Sequence, residues 1–164
     1  MSPLTISLAV LDGDRGNAPL TGTAVYAWQC DRIGRYSLYS EGLTDENYLR
    51  GVQAANDNGN VTFTSIFPGV YPGRWPHIHL EIYRDLSVAT NSGPILKTTQ
   101  IALPEDVCDE VYATADGYEA SVRNMARVSL ASDINFRDDR AATQLASVTG
   151  SVSGGYVASM NIPV

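Results

Sequence analysis

Both histidines of the 164-residue chain, His77 and His79, stand two positions apart, in the segment Tyr71-Pro72-Gly73-Arg74-Trp75-Pro76-His77-Ile78-His79. The flanks read as extended chain, with Val70 and Tyr71 before the pair and Leu80, Ile82 and Tyr83 after it. Side chains of a β-strand alternate faces, so the two imidazoles project the same way. Two imidazoles on one strand face form half of a metal site, since imidazole suits several transition metals. His-x-His alone is also consistent with a plain pair of surface or core histidines. Ligation gains weight from Tyr71 upstream, from Arg74 between, and from the absence of any other histidine in the chain.

The phenols nearby narrow the choice of metal. A phenol titrates near pH 10, so it becomes a ligand only where a strongly Lewis-acidic cation displaces its proton. Ferric iron does this, because tyrosinate is a hard anionic oxygen donor. Two tyrosinates and one hydroxide cancel three positive charges, and a neutral centre can sit inside a protein without a large desolvation penalty. Structural zinc prefers thiolates and histidines, whereas oxygenase Fe(II) sites add a carboxylate to two histidines. Glu81, two residues beyond His79, is the candidate for that carboxylate. It is equally the next residue on that face, turned to solvent or to Arg74.

Several elements must position these groups. Strand patterns cover Leu4–Leu11, Thr23–Cys30, Asn60–Ile66, His77–Tyr83, Lys97–Leu103 and Tyr156–Ile162, with a further short strand near Val128–Leu130. Clusters of Gly, Asn, Asp and Pro separate them, as in an all-β sandwich or barrel. One short helix is expected after Pro104, with Glu105 and Asp106 in its first turn and Val107 and Val111 on one face. The stretch Asp31–Gln53 reads as a long polar loop holding Tyr36, Tyr39 and Tyr48; loops of that length are functional, flexible or β-hairpin excursions. The fold class expected is all-β: a single-domain β-sandwich over residues 1–164, with long loops and at most one short helix.

Composition sets further bounds. A hydrophobic content of 44% with 18% charged residues belongs to a globular chain. No apolar run is long enough to span a bilayer, and no signal peptide opens at Met1. The location expected is therefore cytoplasmic, or secreted if the chain is a trimmed domain. Net charge is −7 and Lys97 is the one lysine, so no basic run exists to neutralise nucleic-acid phosphates. Acidic residues gather late, from Glu105 to Glu119, while Arg32, Arg35, Arg50, Arg74 and Arg84 bracket the histidine segment. Those arginines either draw an anionic small molecule or form part of a mixed-charge surface. Cys30 and Cys108 permit one disulfide; for Cys30, in an apolar strand, a buried free thiol is the commoner state.

With these residues in view, the chain resembles the intradiol ring-cleavage dioxygenases, in their single-domain branch. Tyr71-Pro72-Gly73-Arg74 through His77-Ile78-His79 is similar to that family's second tyrosine, arginine and histidine pair. Trp28-Gln29-Cys30-Asp31-Arg32-Ile33-Gly34-Arg35-Tyr36-Ser37 resembles the segment carrying its first tyrosine. Leu49-Arg50-Gly51-Val52-Gln53, Ser65-Ile66-Phe67-Pro68-Gly69 and Thr99-Gln100 match the connecting stretches and the active-site glutamine. The tail, from Ser132-Asp133 to Gly150 and Gly154-Gly155-Tyr156, resembles it too. Members usually carry a segment before the first strand; here Met1-Ser2-Pro3 leads almost directly into it, so the pocket mouth and any dimer contact are where differences are expected.

The resemblance implies a non-haem Fe(III) enzyme, one iron per chain, held by Tyr36, Tyr71, His77 and His79. It would use O2 to open a catecholic ring between the two hydroxyl-bearing carbons, giving a cis,cis-muconate-type diacid. It also implies that Tyr71 is displaced by substrate and accepts a proton, that Arg74 stabilises charge on the ring, and that Gln100 hydrogen-bonds the same charge or an oxygen species. Without the resemblance, Arg74 would pair with Glu81 or Asp85, and Gln100 would be an ordinary strand residue. Trp28 and Trp75 read as packing residues, with Trp75 also a possible pocket wall. Two other readings stay open: a β-barrel oxygenase using Fe(II) or copper with Glu81, and a non-catalytic metal- or ligand-binding sandwich module. The identity of the catechol and the oligomeric state are not legible in the sequence.

Overall fold

The computed structural model describes residues 1–164. Nine strands form two sheets: β1 (Pro3–Asp12), β2 (Ala18–Pro19), β3 (Ala24–Trp28), β4 (Arg50–Ala54), β5 (Asn60–Ile66), β6 (His77–Tyr83), β7 (Ile95–Ala102), β8 (Ser147–Ser151) and β9 (Gly155–Pro163). One sheet runs β2-β1-β9-β8 with β5 also on β1; the other runs β4-β3-β6-β7. All pairings are antiparallel except β1 with β9, which is parallel. The all-β class expected from the alternation holds.

Alternation in the strands defines the layers. In β1, Leu4, Ile6, Leu8 and Val10 turn inward; in β6, Ile78, Leu80 and Ile82 do so, and all are buried in one shared core. The same period sends His77, His79, Glu81 and Tyr83 to the opposite, outer face of the four-stranded sheet. The histidines therefore lie outside the sandwich core, and other chain must cover them.

Three helices are present rather than one: α1 (Leu86–Thr90), α2 (Glu105–Thr114) and α3 (Glu119–Met125). The expected helix is α2, which follows Pro104 and buries Cys108, Val111 and Tyr112. α1 is a single turn started by Asp85, whose side chain accepts from Val88 N–H; α3 buries only Ser121 and Met125. Both are too short to leave a periodic signal. The stretch expected as a strand at Val128–Leu130 is non-strand chain after α3. Conversely, Arg50–Gln53, expected as loop, is most of edge strand β4, and the two-residue β2 and polar β8 were not expected. Cys30 and Cys108 are both buried and free, so no disulfide forms. No helix is long and apolar enough to cross a membrane.

Candidate metal centre

The four predicted ligands arrive on three segments: β6, the loop before it and the loop after β3. His77 and His79 stand on β6, and the following turn-free strand fixes their spacing. Tyr71 ends a loop that reverses through Pro72-Gly73, where Arg74 N–H donates to Tyr71 O at 3.4 Å and Gly73 has φ +88°. Proline followed by a left-handed glycine is the requirement of a type II turn, and it sets Tyr71 and Arg74 at the two ends of one bend. Tyr36 comes from the loop after β3. That loop approaches the Tyr71 segment so closely that a Cβ at Gly34, itself at φ +88°, would stand 3.0 Å from Tyr71 Cβ. Arg50 holds the loop from β4: its Nε donates to Ser37 Oγ (3.0 Å), its Nη2 to Ser37 O (2.8 Å).

Four donor atoms converge as a result. Tyr36 Oη lies 3.2 Å from His77 Nε2, 3.0 Å from His79 Nε2 and 3.4 Å from Tyr71 Oη. Tyr71 Oη is 3.2 Å from His77 Nε2, and the two Nε2 atoms are 3.1 Å apart. Donors bound about 2.0–2.2 Å from one first-row cation at roughly right angles or somewhat wider are themselves separated by about 2.9 to 3.4 Å. These distances fit such an ion. Tyr36 Oη and His77 Nε2 each contact all three other donors, whereas Tyr71 Oη and His79 Nε2 each contact two.

The electrostatics suit the same purpose. Burial, then the charge of Arg74, depresses the His77 pKa to about 3; burial, then Arg74 and Arg50, depresses that of His79 to about 4. Both imidazoles are thus neutral near pH 7, with lone pairs to offer. His77 Nδ1–H donates to Trp75 O at 2.5 Å, which assigns the proton to Nδ1 and leaves Nε2 as acceptor, the outer-sphere pattern of a ligating histidine. Burial pushes both phenols above their usual range, so a cation is needed to ionise them. No three His, Cys, Asp or Glu side chains gather to hold a metal, so a centre here must recruit the phenols. Glu81 is engaged elsewhere, its Oε2 accepting from Tyr83 Oη at 2.5 Å.

Arg74 and Gln100 also reach the site. Arg74 Nη2 donates to Gln100 Oε1 at 2.5 Å, and Nη1 faces His77 Nε2 at 3.3 Å. Gln100 is the direct cross-strand neighbour of His79. The partner of Arg74 is neither Glu81 nor Asp85: its Nε donates to Asp133 Oδ2 at 2.8 Å. Asp133 carried no functional expectation, although Ser132-Asp133-Ile134-Asn135 has the composition of a turn. Trp28 is a second residue whose part was not foreseen, since it stacks on His79. Trp75 is buried and donates Nε1–H to Leu103 O at 2.9 Å; it packs in the core and also lines a cleft beside α2 with Pro104 and Asp109. Of the two remaining loop tyrosines, Tyr48 donates to Asp31 Oδ2 (3.0 Å) and Tyr39 lies exposed beneath the Arg50 guanidinium.

Known proteins share this architecture. The family model Dioxygenase_C, described as dioxygenase, matches residues 2–116, which include Tyr36, Tyr71, Arg74, His77, His79 and Gln100. Chlorocatechol 1,2-dioxygenase of Rhodococcus opacus is 34% identical over 58 residues, 35% of this chain and 23% of that protein. Catechol 1,2-dioxygenase of Candida albicans is 36% identical over 59 residues, 36% of this chain and 20% of that protein. An intradiol ring-cleavage dioxygenase from Tetranychus urticae superposes with a TM-score of 0.79 at 27% identity, covering 98% of this chain and 79% of that one. This chain belongs to the intradiol ring-cleavage dioxygenase family. The stretch matched to each curated relative amounts to only a fifth to a quarter of that relative's length.

Proposed function

We propose that the chain, as one catalytic domain over residues 1–164, is a non-haem Fe(III) intradiol dioxygenase. It takes a catechol-type substrate and O2 and opens the ring between the two oxygen-bearing carbons to a cis,cis-muconate-type diacid. The observation that carries this reading is the convergence of two phenol oxygens and two imidazole nitrogens within 3.0 to 3.4 Å along five of their six pairs.

Tyr36, Tyr71, His77 and His79 would hold the iron. When bound, Fe(III) supplies Lewis acidity and a template that draws both catechol oxygens into one place. Tyr71 Oη, which contacts two of the other donors where Tyr36 Oη contacts three, is the group to take a substrate proton, since a phenol with a raised pKa is a good proton acceptor once ionised. Tyr36 Oη, in contact with all three other donors, is the anchor that stays. Arg74 keeps a guanidinium beside the donors, ready for negative charge on the ring without reorganising. Gln100 Oε1 orients that guanidinium and occupies the row next to His79.

Purified protein should contain about one iron per chain and show a visible tyrosinate-to-iron absorption that changes on adding catechol anaerobically. With oxygen, products from catechol, hydroxyquinol and protocatechuate should be acyclic, each with two new carboxyl groups at the former hydroxyl-bearing carbons. Stoichiometric zinc with no visible band would overturn the reading.

A further inference from the structure

We infer that Asp133 is the positioning residue for Arg74: a buried carboxylate that orients the guanidinium toward the donor set and neutralises it there. The inference rests on the role proposed above for Arg74. Asp133 lies beyond the family-matched stretch, which ends at residue 116.

The geometry is complete on both oxygens. Oδ2 accepts from Arg74 Nε at 2.8 Å and from Trp75 N–H at 2.7 Å; Oδ1 accepts from Asn135 N–H at 2.8 Å and Phe136 N–H at 3.2 Å. The Asp133 side chain is 0% exposed and that of Arg74 14%. An arginine gripped through Nε has its plane fixed while both Nη groups remain free. Here those two groups are the ones that reach Gln100 Oε1 and face His77 Nε2. A carboxylate gripping the two Nη atoms end-on would have turned the guanidinium away.

Charge supplies the second argument. Arg74 places a positive group 3.3 Å from an imidazole that would bind a trivalent cation. A mostly buried guanidinium beside such a cation is repelled unless an anion accompanies it. Asp133 is the carboxylate within ion-pair distance of Arg74. Through Phe136 N–H it also ties down the ring that packs edge-on to His77, with centroids 6.5 Å apart. One side chain thus couples the segment after α3 to both Arg74 and a ligand-bearing turn.

Asp133 could instead only staple that segment, and two measurements separate the roles. In the full chain without metal, which is diamagnetic, the Arg74 Nε–H should give a resolved, exchange-protected 15N signal. Its assignment follows from its absence in Arg74→Ala, and it should be lost or averaged in Asp133→Asn. A fast-exchanging Arg74 Nε–H in the unsubstituted protein would overturn the inference without any Asp133 variant, and whether or not ring cleavage is ever observed. In the iron-loaded protein, Asp133→Asn should lower turnover about 10- to 100-fold, the usual effect of losing an outer-sphere partner, at unchanged iron content. In an Arg74→Ala background the same substitution should change turnover less than about twofold. Equal fold-losses in both backgrounds would assign Asp133 a purely structural role.

Discussion

Trp28 lies against His79 as a parallel plate, with ring centroids 4.6 Å apart and planes 7° from parallel. The contact follows from register, because Trp28 is the direct cross-strand partner of His79 on the outer face. Tyr26 stacks in turn on Trp28 at 5.0 Å, so the imidazole that has neighbours on β7 at one side has an aromatic row at the other. Such a row holds the ring tilt that points Nε2 at Tyr36 Oη.

Trp28→Ala should therefore weaken iron binding about 10- to 100-fold, as loss of an outer-sphere support does, while Trp28→Phe should keep most of it. Competition with a chelator followed by iron analysis reads this directly. Unaltered iron affinity in Trp28→Ala would show that β6 alone orients His79.

Tyr36→Phe and Tyr71→Phe keep ring volume and remove only oxygen, so neither should unfold the domain. The Tyr36 oxygen touches three other donors and that of Tyr71 touches two. Tyr36→Phe should accordingly lose more visible absorption and more iron than Tyr71→Phe. His77→Ala or His79→Ala should lose most of the iron. Full colour in Tyr36→Phe would remove that phenol from the ligand set.

The parts of this molecule that sequence discloses are those governed by local period. Alternation located β1, β5 and β6 closely, and the same alternation set His77 and His79 on one face. The edge strand β4 was hidden because its pattern is mixed, with only Val52 and Ala54 apolar among Arg50, Gly51 and Gln53. What covers the outer face depends on contacts between distant segments. Asp133 is 59 residues from Arg74, and no periodicity links a turn aspartate to a particular arginine. Trp28 was visible as a strand residue, but its meeting with His79 depends on β3–β6 register, which a single sequence leaves undetermined. Glu81, with the right spacing for a carboxylate ligand, is held by Tyr83 on its own strand.

Acid should test the Asp133 network in the metal-free protein. Burial acts to raise the Asp133 pKa, but hydrogen bonds from Arg74, Trp75 and Asn135, with the Arg74 charge, hold it below the usual carboxylate range. A carboxylate with a folded-state pKa below its unfolded value of about 3.9 adds stability above that pH and loses it as pH falls through the folded value. The stability gap between the unsubstituted chain and Asp133→Asn should be full above pH of about 4 and shrink below it. Urea unfolding across a pH series measures the gap. A constant gap down to pH of about 2 would mean that the ionised form is not what stabilises the fold.

Arg74 separates chemistry from metal binding. Its guanidinium reaches His77 Nε2 and Gln100 but supplies no ligand, so Arg74→Ala should leave iron content and visible colour largely intact. Removing one preorganised electrostatic donor typically costs about 100- to 1,000-fold in rate, and turnover should fall by that order. Arg74→Lys should recover little, because an ammonium cannot bind Asp133 through one edge and present two further N–H groups in the same plane. The residual product should still be the diacid, since under the proposed mechanism the iron and its phenolate ligands, rather than Arg74, would set the position of cleavage. A coloured semialdehyde, formed by opening the ring beside the diol, would contradict the mechanism in any of these proteins. Iron loss in Arg74→Ala in proportion to activity would instead place Arg74 in support of the ligands, and steady-state rates normalised to bound iron distinguish the two.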